Sequence, residues 1–189
     1  MQKSINRVSY LVLALLLCAA APAASAHGTI PGINQFYNGV MHPFLAPAHL
    51  LSLLALALLA GQQGLRPRPF EIIGLAGGYL LGAAAAFTAG DPDTDACLWA
   101  LTLCAGAGVA LAPTQPRWLR VATGGLIGLA IGLGSADVSL HEGKRIAALL
   151  GAGFGATVLI AYASLAVDAL TRRIDLPAAR IGIRVVASW

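Results

Sequence analysis

Two of the four histidines in this 189-residue chain, His42 and His49, lie seven residues apart in the stretch FYNGVMHPFLAPAHLL. Imidazole is a good ligand for Ni²⁺, Co²⁺, Cu²⁺ and Zn²⁺, whereas an oxygen-only site suits Mg²⁺ or Ca²⁺. On one continuous helix, residues seven apart differ by about 20° around the axis, so the two histidines would share a face. Their Cα atoms would then be roughly 10 Å apart along the axis. That is near the outer limit for two imidazoles reaching one ion over bonds of about 2.0–2.1 Å. Two prolines offer a distortion that shortens the span. Pro43 suits the first position of a helix, and Pro47 has no N–H for the carbonyl of residue 43. The pair reads as a transition-metal site of the open kind, which holds its ion weakly enough to release it, with carboxylates or water completing the shell. The competing reading makes His42 a capping residue at a helix entrance and His49 a hydrogen-bonded core histidine. An ionisable residue inside an apolar segment weighs towards function.

The other polar groups are weaker candidates. If a leader ending at Ala26 is removed, His27 becomes the N-terminal residue, and its α-amine and imidazole can chelate a metal together, copper most favourably. His141 stands beside Glu142 as a further candidate pair, and the loop DPDTD carries Asp91, Asp93 and Asp95. Carboxylates at an entrance concentrate cations even where they are not ligands. There is no phosphate loop, nucleotide fingerprint, nucleophile elbow or HExxH pattern. An enzyme and a tightly bound cofactor are therefore not expected.

The elements that must position these groups are membrane helices. The chain is 58% hydrophobic and only 11% charged, with a mean hydropathy of +0.77, which leaves too little polar surface to cover a soluble globule. Its net charge of +4 is spread in short clusters between apolar segments. That distribution argues against nucleic-acid binding. Residues 1–26 have a basic start (Lys3, Arg7), an apolar core YLVLALLLCAAA and the ending Ala24-Ser25-Ala26, which predicts a cleaved signal peptide. Residues 27–189 then form a single helical membrane domain, with apolar segments at approximately 44–62, 70–90, 95–113, 119–136 and 145–170. Each is near the ~20 residues that a spanning helix needs.

Basic residues in short loops stay cytoplasmic. With the mature N-terminus periplasmic, Arg66, Arg68, Arg117, Arg120, Arg172, Arg173, Arg180 and Arg184 fall inside and only Lys144 and Arg145 outside. The same topology of a multi-pass inner-membrane protein brings all four histidines to the periplasmic side and the C-terminus to the cytoplasm. Small-xxx-small pairs (Gly78 with Gly82, Gly124 with Gly128, Gly128 with Gly132, Gly151 with Gly155) predict helices packed at backbone contact. Trp99 and Trp118 fit opposite interfacial belts. Cys97 and Cys104 are too far apart on one helix for a disulfide and are expected as small packing residues.

The run FYNGVMHPFLAPAHLLSLLALALLAG, after a signal ending just before a histidine and ahead of Gly- and Ala-rich helices, resembles the HupE/UreJ family of small membrane proteins. That family is associated with nickel uptake, and in some members cobalt uptake, for hydrogenase and urease. Its first mature helix carries His-Pro, a short spacer and Asp-His followed by Leu-Leu. His42 and Pro43 match the start, and His49, Leu50 and Leu51 match the end. Ala48 stands where the family has aspartate, and SLHEGK around His141 is all that corresponds to a later histidine-rich segment. The resemblance implies an all-α polytopic protein that transports or binds a divalent transition metal, nickel or cobalt before copper. Combined with the residue-level reading, His42, His49, His27 and His141 are the expected metal ligands. The expected partners are the lipid bilayer, the metal ion and, through the glycine faces, a second copy or another membrane protein, with no nucleic acid. The alternative is a non-transporting subunit or assembly factor of a larger metalloenzyme or membrane complex.

Overall fold

The computed structural model describes residues 30, 32–64, 69–90, 92–111, 114–137 and 139–173. The expected signal segment and His27 lie outside them. The described residues are all-helical: α1 (Gln35–Leu45), α2 (Pro47–Gln63), α3 (Phe70–Ala89), α4 (Asp95–Leu111), α5 (Arg117–Gly134) and α6 (Glu142–Arg173).

The first expected segment is two helices, and it starts earlier than its apolar run. Asn34 caps α1, its side chain accepting from the Phe36 N–H at 2.9 Å. Asn38 fastens the preceding turn by accepting from the Ile30 N–H at 3.0 Å and donating to the Ile33 carbonyl at 3.3 Å. Pro43 therefore sits inside α1, and Pro47 takes the first position of a helix. Ala46, the residue before Pro47, is extended at φ −85° and ψ 110°, because a following proline ring disfavours the helical region. The outcome is a 70° bend between α1 and α2.

By length and composition, Phe70–Thr88 and Glu142–Thr171 can each cross a membrane, and α1 with α2 makes a third crossing if the bent pair is one broken span. At 17 residues, α4 is about 26 Å long, short of a ~30 Å hydrocarbon core. Length and composition alone thus give two or three crossings where the sequence reading expects five.

Glycine contacts set how the helices lie together. A Cβ on Gly74, Gly78 or Gly82 would collide with the carbonyls of Val121, Gly125 and Leu129 in turn, and one on Gly124, Gly128 or Gly132 with those of Glu71, Leu75 and Tyr79. The partners advance together, so α3 and α5 run parallel at backbone contact. Such proximity maximises dispersion attraction where lipid supplies little hydrophobic drive. Gly151 and Gly155 meet the Phe36 and Val40 carbonyls in the same way, and Gly61 meets Val167 and Ser164. All the glycine pairs expected to pack do so.

These contacts also explain where the bend goes. Between them α6 advances from Gly155 to Ser164, whereas α1 and α2 together advance from Val40 to Gly61, more than twice as many residues. The surplus chain must bulge away from the straight α6, and it does so at the break. Leu53, Leu56, Leu98, Ile127, Ile131 and Ile160 fill the centre of the bundle. Leu80, Leu81, Leu103, Phe154 and Tyr162 are exposed on its outside, as lipid-facing side chains must be. Cys97 and Cys104 are exposed too and do not serve as packing residues within the chain.

Candidate metal centre

The break brings the two histidines together. His42 lies in the last turn of α1 and His49 in the first turn of α2, with ring centroids 4.8 Å apart and planes at 79°. His49 is only 2% exposed and His42 is partly buried. The His42 carbonyl accepts from the Ala46 N–H at 3.0 Å and the Ala46 carbonyl from the Leu50 N–H at 2.9 Å. The backbone on both sides of the bend is thereby held, and the side chains converge across it.

A third group enters from the α3–α4 loop and the end of α5. Gly134 has no Cβ, and the Thr94 hydroxyl oxygen occupies that space, with His49 Nε2 3.7 Å from the same point. Thr94 is held there as its carbonyl accepts from the Leu98 N–H at 2.9 Å. Among the described residues no group of three or more His, Cys, Asp or Glu side chains could hold a metal ion. Among the described residues the nitrogen donors are accompanied by a hydroxyl and not by a carboxylate, and Ala48, at the position of the resembled motif's aspartate, is 2% exposed within the apolar core cluster. His141 is exposed just before α6. Asp93 serves its own loop, accepting from the Asp95 N–H at 3.0 Å, and Asp137 accepts from the Ser139 N–H at 2.9 Å.

Further along α2 and α4 is a hydroxyl pair that the sequence reading did not single out. Ser52 Oγ and Thr102 Oγ1 are 2.6 Å apart. Thr102 donates to the Leu98 carbonyl at 2.7 Å, and Ser52 donates to the same carbonyl at 3.3 Å. Ser52 is one turn on from His49, and Thr102 lies eight residues after Thr94, which directly precedes α4, but spacing alone does not single these hydroxyls out.

The opposite end of the bundle holds a buried ion pair. Arg120 Nε and Nη2 donate to the two oxygens of Glu71 at 2.6 and 2.8 Å, and Nη2 donates also to the Gly64 carbonyl at 3.2 Å. Glu71 is 0% and Arg120 9% exposed, and the guanidinium carbon is 5.3 Å from the Phe70 ring centroid. Two parallel hydrogen bonds make this the strong, geometrically specific form of the pair. Arg120 counted only towards orientation in the sequence, and a lone glutamate at the head of an apolar run was the signal for its partner. Gln63 Oε1 accepts from the Gln115 N–H at 3.3 Å nearby.

An all-helical bundle with lipid-type apolar faces and its polar side chains drawn to two ends is an integral membrane protein. Over residues 14–188 the chain matches the family model described as HupE / UreJ protein, and it belongs to that family. The family is associated with membrane handling of nickel and cobalt. No curated protein and no solved structure matches the chain significantly.

Proposed function

We propose that the chain binds a divalent transition metal, nickel or cobalt before copper, and carries it inward across the bacterial inner membrane. The observation behind this reading is the histidine pair, two rings 4.8 Å apart at a 70° break, in a member of a family associated with those metals. His42 and His49 supply nitrogen donors, and water with the Thr94 hydroxyl fills further positions. A shell with few protein ligands and no carboxylate releases its ion readily. His27 and His141 act as entry ligands at the periplasmic side, with the signal cleaved after Ala26 and the arginine-rich ends cytoplasmic. No ATP site is present in the sequence, so the membrane potential drives entry, about 2.3 kcal/mol per charge per 100 mV. The test is whole-cell nickel, cobalt and copper content with wild type, His42→Ala and His49→Ala. Each variant is expected to fall to the level of cells without the chain.

A second reading, a non-transporting subunit or assembly factor of a larger metalloenzyme complex, is favoured by Ala48 and by the lack of a third His, Cys, Asp or Glu ligand among the described residues. It is the better one if both histidine variants leave metal content unchanged while deletion of the chain impairs a partner complex.

A further inference from the structure

We infer that a pocket at the end of the bundle where α1 and α6 begin holds the headgroup of a membrane phospholipid, phosphatidylethanolamine in particular. The inference rests on the chain being a membrane protein and stands apart from metal transport. The pocket, about 370 Å³, is lined by Ile33, Asn34, Gln35, Gly143, Lys144 and Ala147, and its size is within the ~300–1,000 Å³ usual for ligand sites. Its walls supply positive potential from two sources. The first is Lys144, which is exposed and makes no hydrogen bond or ion pair with another described residue. Its neighbour Arg145 is engaged elsewhere, donating to the Ala86 carbonyl and lying 4.5 Å from the Phe87 ring centroid. These are the two basic residues that the sequence leaves on the far side from its arginine-rich loops, and the Lys144 charge is left for an anion. The second source is the helix starts. In α6 the Arg145 N–H bonds the His141 carbonyl at 2.9 Å, so the amides of Gly143 and Lys144 precede the ladder, where N–H groups lack helical partners. On the other wall α1 begins at Gln35. The two helices run parallel, Gly151 and Gly155 meeting the Phe36 and Val40 carbonyls in turn. The positive ends of both dipoles therefore lie at this end of the bundle, and they favour a phosphate there. Glu142 is exposed and is not on the pocket wall.

A simple anion leaves one wall unanswered. Gln35 Oε1 is buried and has no hydrogen-bond partner among the described residues, and a buried acceptor without a donor is costly. An occupant that joins a phosphate to an N–H meets both requirements, with the phosphate at Lys144 and the helix starts and the ammonium at Gln35. Ethanolamine carries such donors, whereas the nitrogen of choline has none. The surface beyond the pocket suits the rest of a lipid. On α6, Gly143, Ala147, Leu150 and Phe154 follow one another along a single stripe, and Leu150 and Phe154 are exposed. On the α1 side Ile33 and Tyr37 are exposed too, and the Phe36 and Phe154 rings lie 6.2 Å apart across the seam. A polar pocket continued by apolar side chains along both helices repeats the order of groups in a phospholipid. Seated there, the lipid ties the start of α1, whose last turn carries His42, to α6.

The test uses the full-length protein in detergent. Phosphatidylethanolamine and phosphatidylcholine of the same acyl chains are added in turn, and bound lipid is counted by native mass spectrometry. Wild type is expected to retain one phosphatidylethanolamine about tenfold more than phosphatidylcholine, the order of one hydrogen bond to a charged group. Gln35→Leu is expected to bring the two lipids to the same level. Lys144→Gln should lower retention of both about fivefold, one lysine's share of the attraction to lipid phosphate. Ala147→Phe fills the pocket and should remove the retained lipid. Thermal midpoints without added lipid check that each variant is folded, and Lys144→Gln, at an exposed position, decides the matter if a variant at the wall unfolds. Equal retention of the two lipids by wild type overturns the inference, as does retention unchanged in Lys144→Gln. Inorganic phosphate that by itself raises the wild-type midpoint and displaces the lipid identifies a site for a free oxyanion, and overturns the lipid.

Discussion

At the scale of single residues, position 48 is the point at which one side chain would most change the chemistry of the histidine pair. Ala48 is on the first turn of α2, directly before His49, and 2% exposed. Ala48→Asp would put a carboxylate at a helix N-terminus, where the backbone dipole favours negative charge, but in a dry place where an unpaired charge is costly. The expected outcome is higher nickel uptake by cells, with a thermal midpoint in detergent that rises on adding Ni²⁺ more steeply than that of the wild type. Unchanged uptake would count against a family-type site at this position. The histidines themselves were legible because intramembrane imidazoles are rare and the two prolines announced a distortion. Thr94, Ser52 and Thr102 were not, because hydroxyls occur throughout apolar helices and only tertiary contact selects these three. Gly134 was legible as a glycine but not as the space that admits Thr94.

At the scale of elements, the site is a property of the break between α1 and α2. Ala46 is extended because it precedes Pro47, and removing that constraint lets the helix run on. In Pro47→Ala the two histidines should move towards the ~10 Å separation of a continuous helix. Ni²⁺ affinity measured by titration calorimetry is expected to drop about tenfold or more, the effect of losing support for a metal ligand. Thermal stability is expected to hold. The position of the break was readable from the sequence, but the start of α1 was not, since the Asn34 cap and the Gly39 and Val40 contacts with α6 extend the helix through polar residues. The other element-level device is the Glu71–Arg120 pair joining the starts of α3 and α5. Glu71→Leu leaves a buried guanidinium without its carboxylate and is expected to cost about 3–5 kcal/mol, whereas Glu71→Leu with Arg120→Met should recover most of the loss. Denaturant unfolding in detergent distinguishes the two. A double variant as unstable as the single one would mean that the pair is not what the stability depends on.

At the scale of the whole molecule, two parallel glycine seams hold the bundle, α3 with α5 and α1 with α6, and the leucine-filled centre lies between them. The helix directions alternate along the chain from α2 to α6, as the contacts at both ends require, and this arrangement brings the N-terminal ends of α2 and α4 together beside the histidines. The small-residue spacing made the seams readable in advance. Which residue each glycine would face was not readable, because register depends on how two surfaces fit and not on either alone. Neighbouring glycines on α3 allow a direct test. A Cβ on Gly78 would collide with the Gly125 carbonyl, while one on Gly77 would meet nothing within 4 Å. Gly78→Ala should separate α3 from α5 and cost about 1–3 kcal/mol, the usual range for overpacking. Gly77→Ala should be neutral or stabilising by up to about 1 kcal/mol, since alanine narrows the unfolded ensemble without strain. The two variants differ by one position and not at all in composition, so unfolding in the same detergent isolates the seam. Equal stability of the two would show that α3 and α5 are not held by backbone contact, and the alignment of Gly134 with Thr94 and His49 would lose its support.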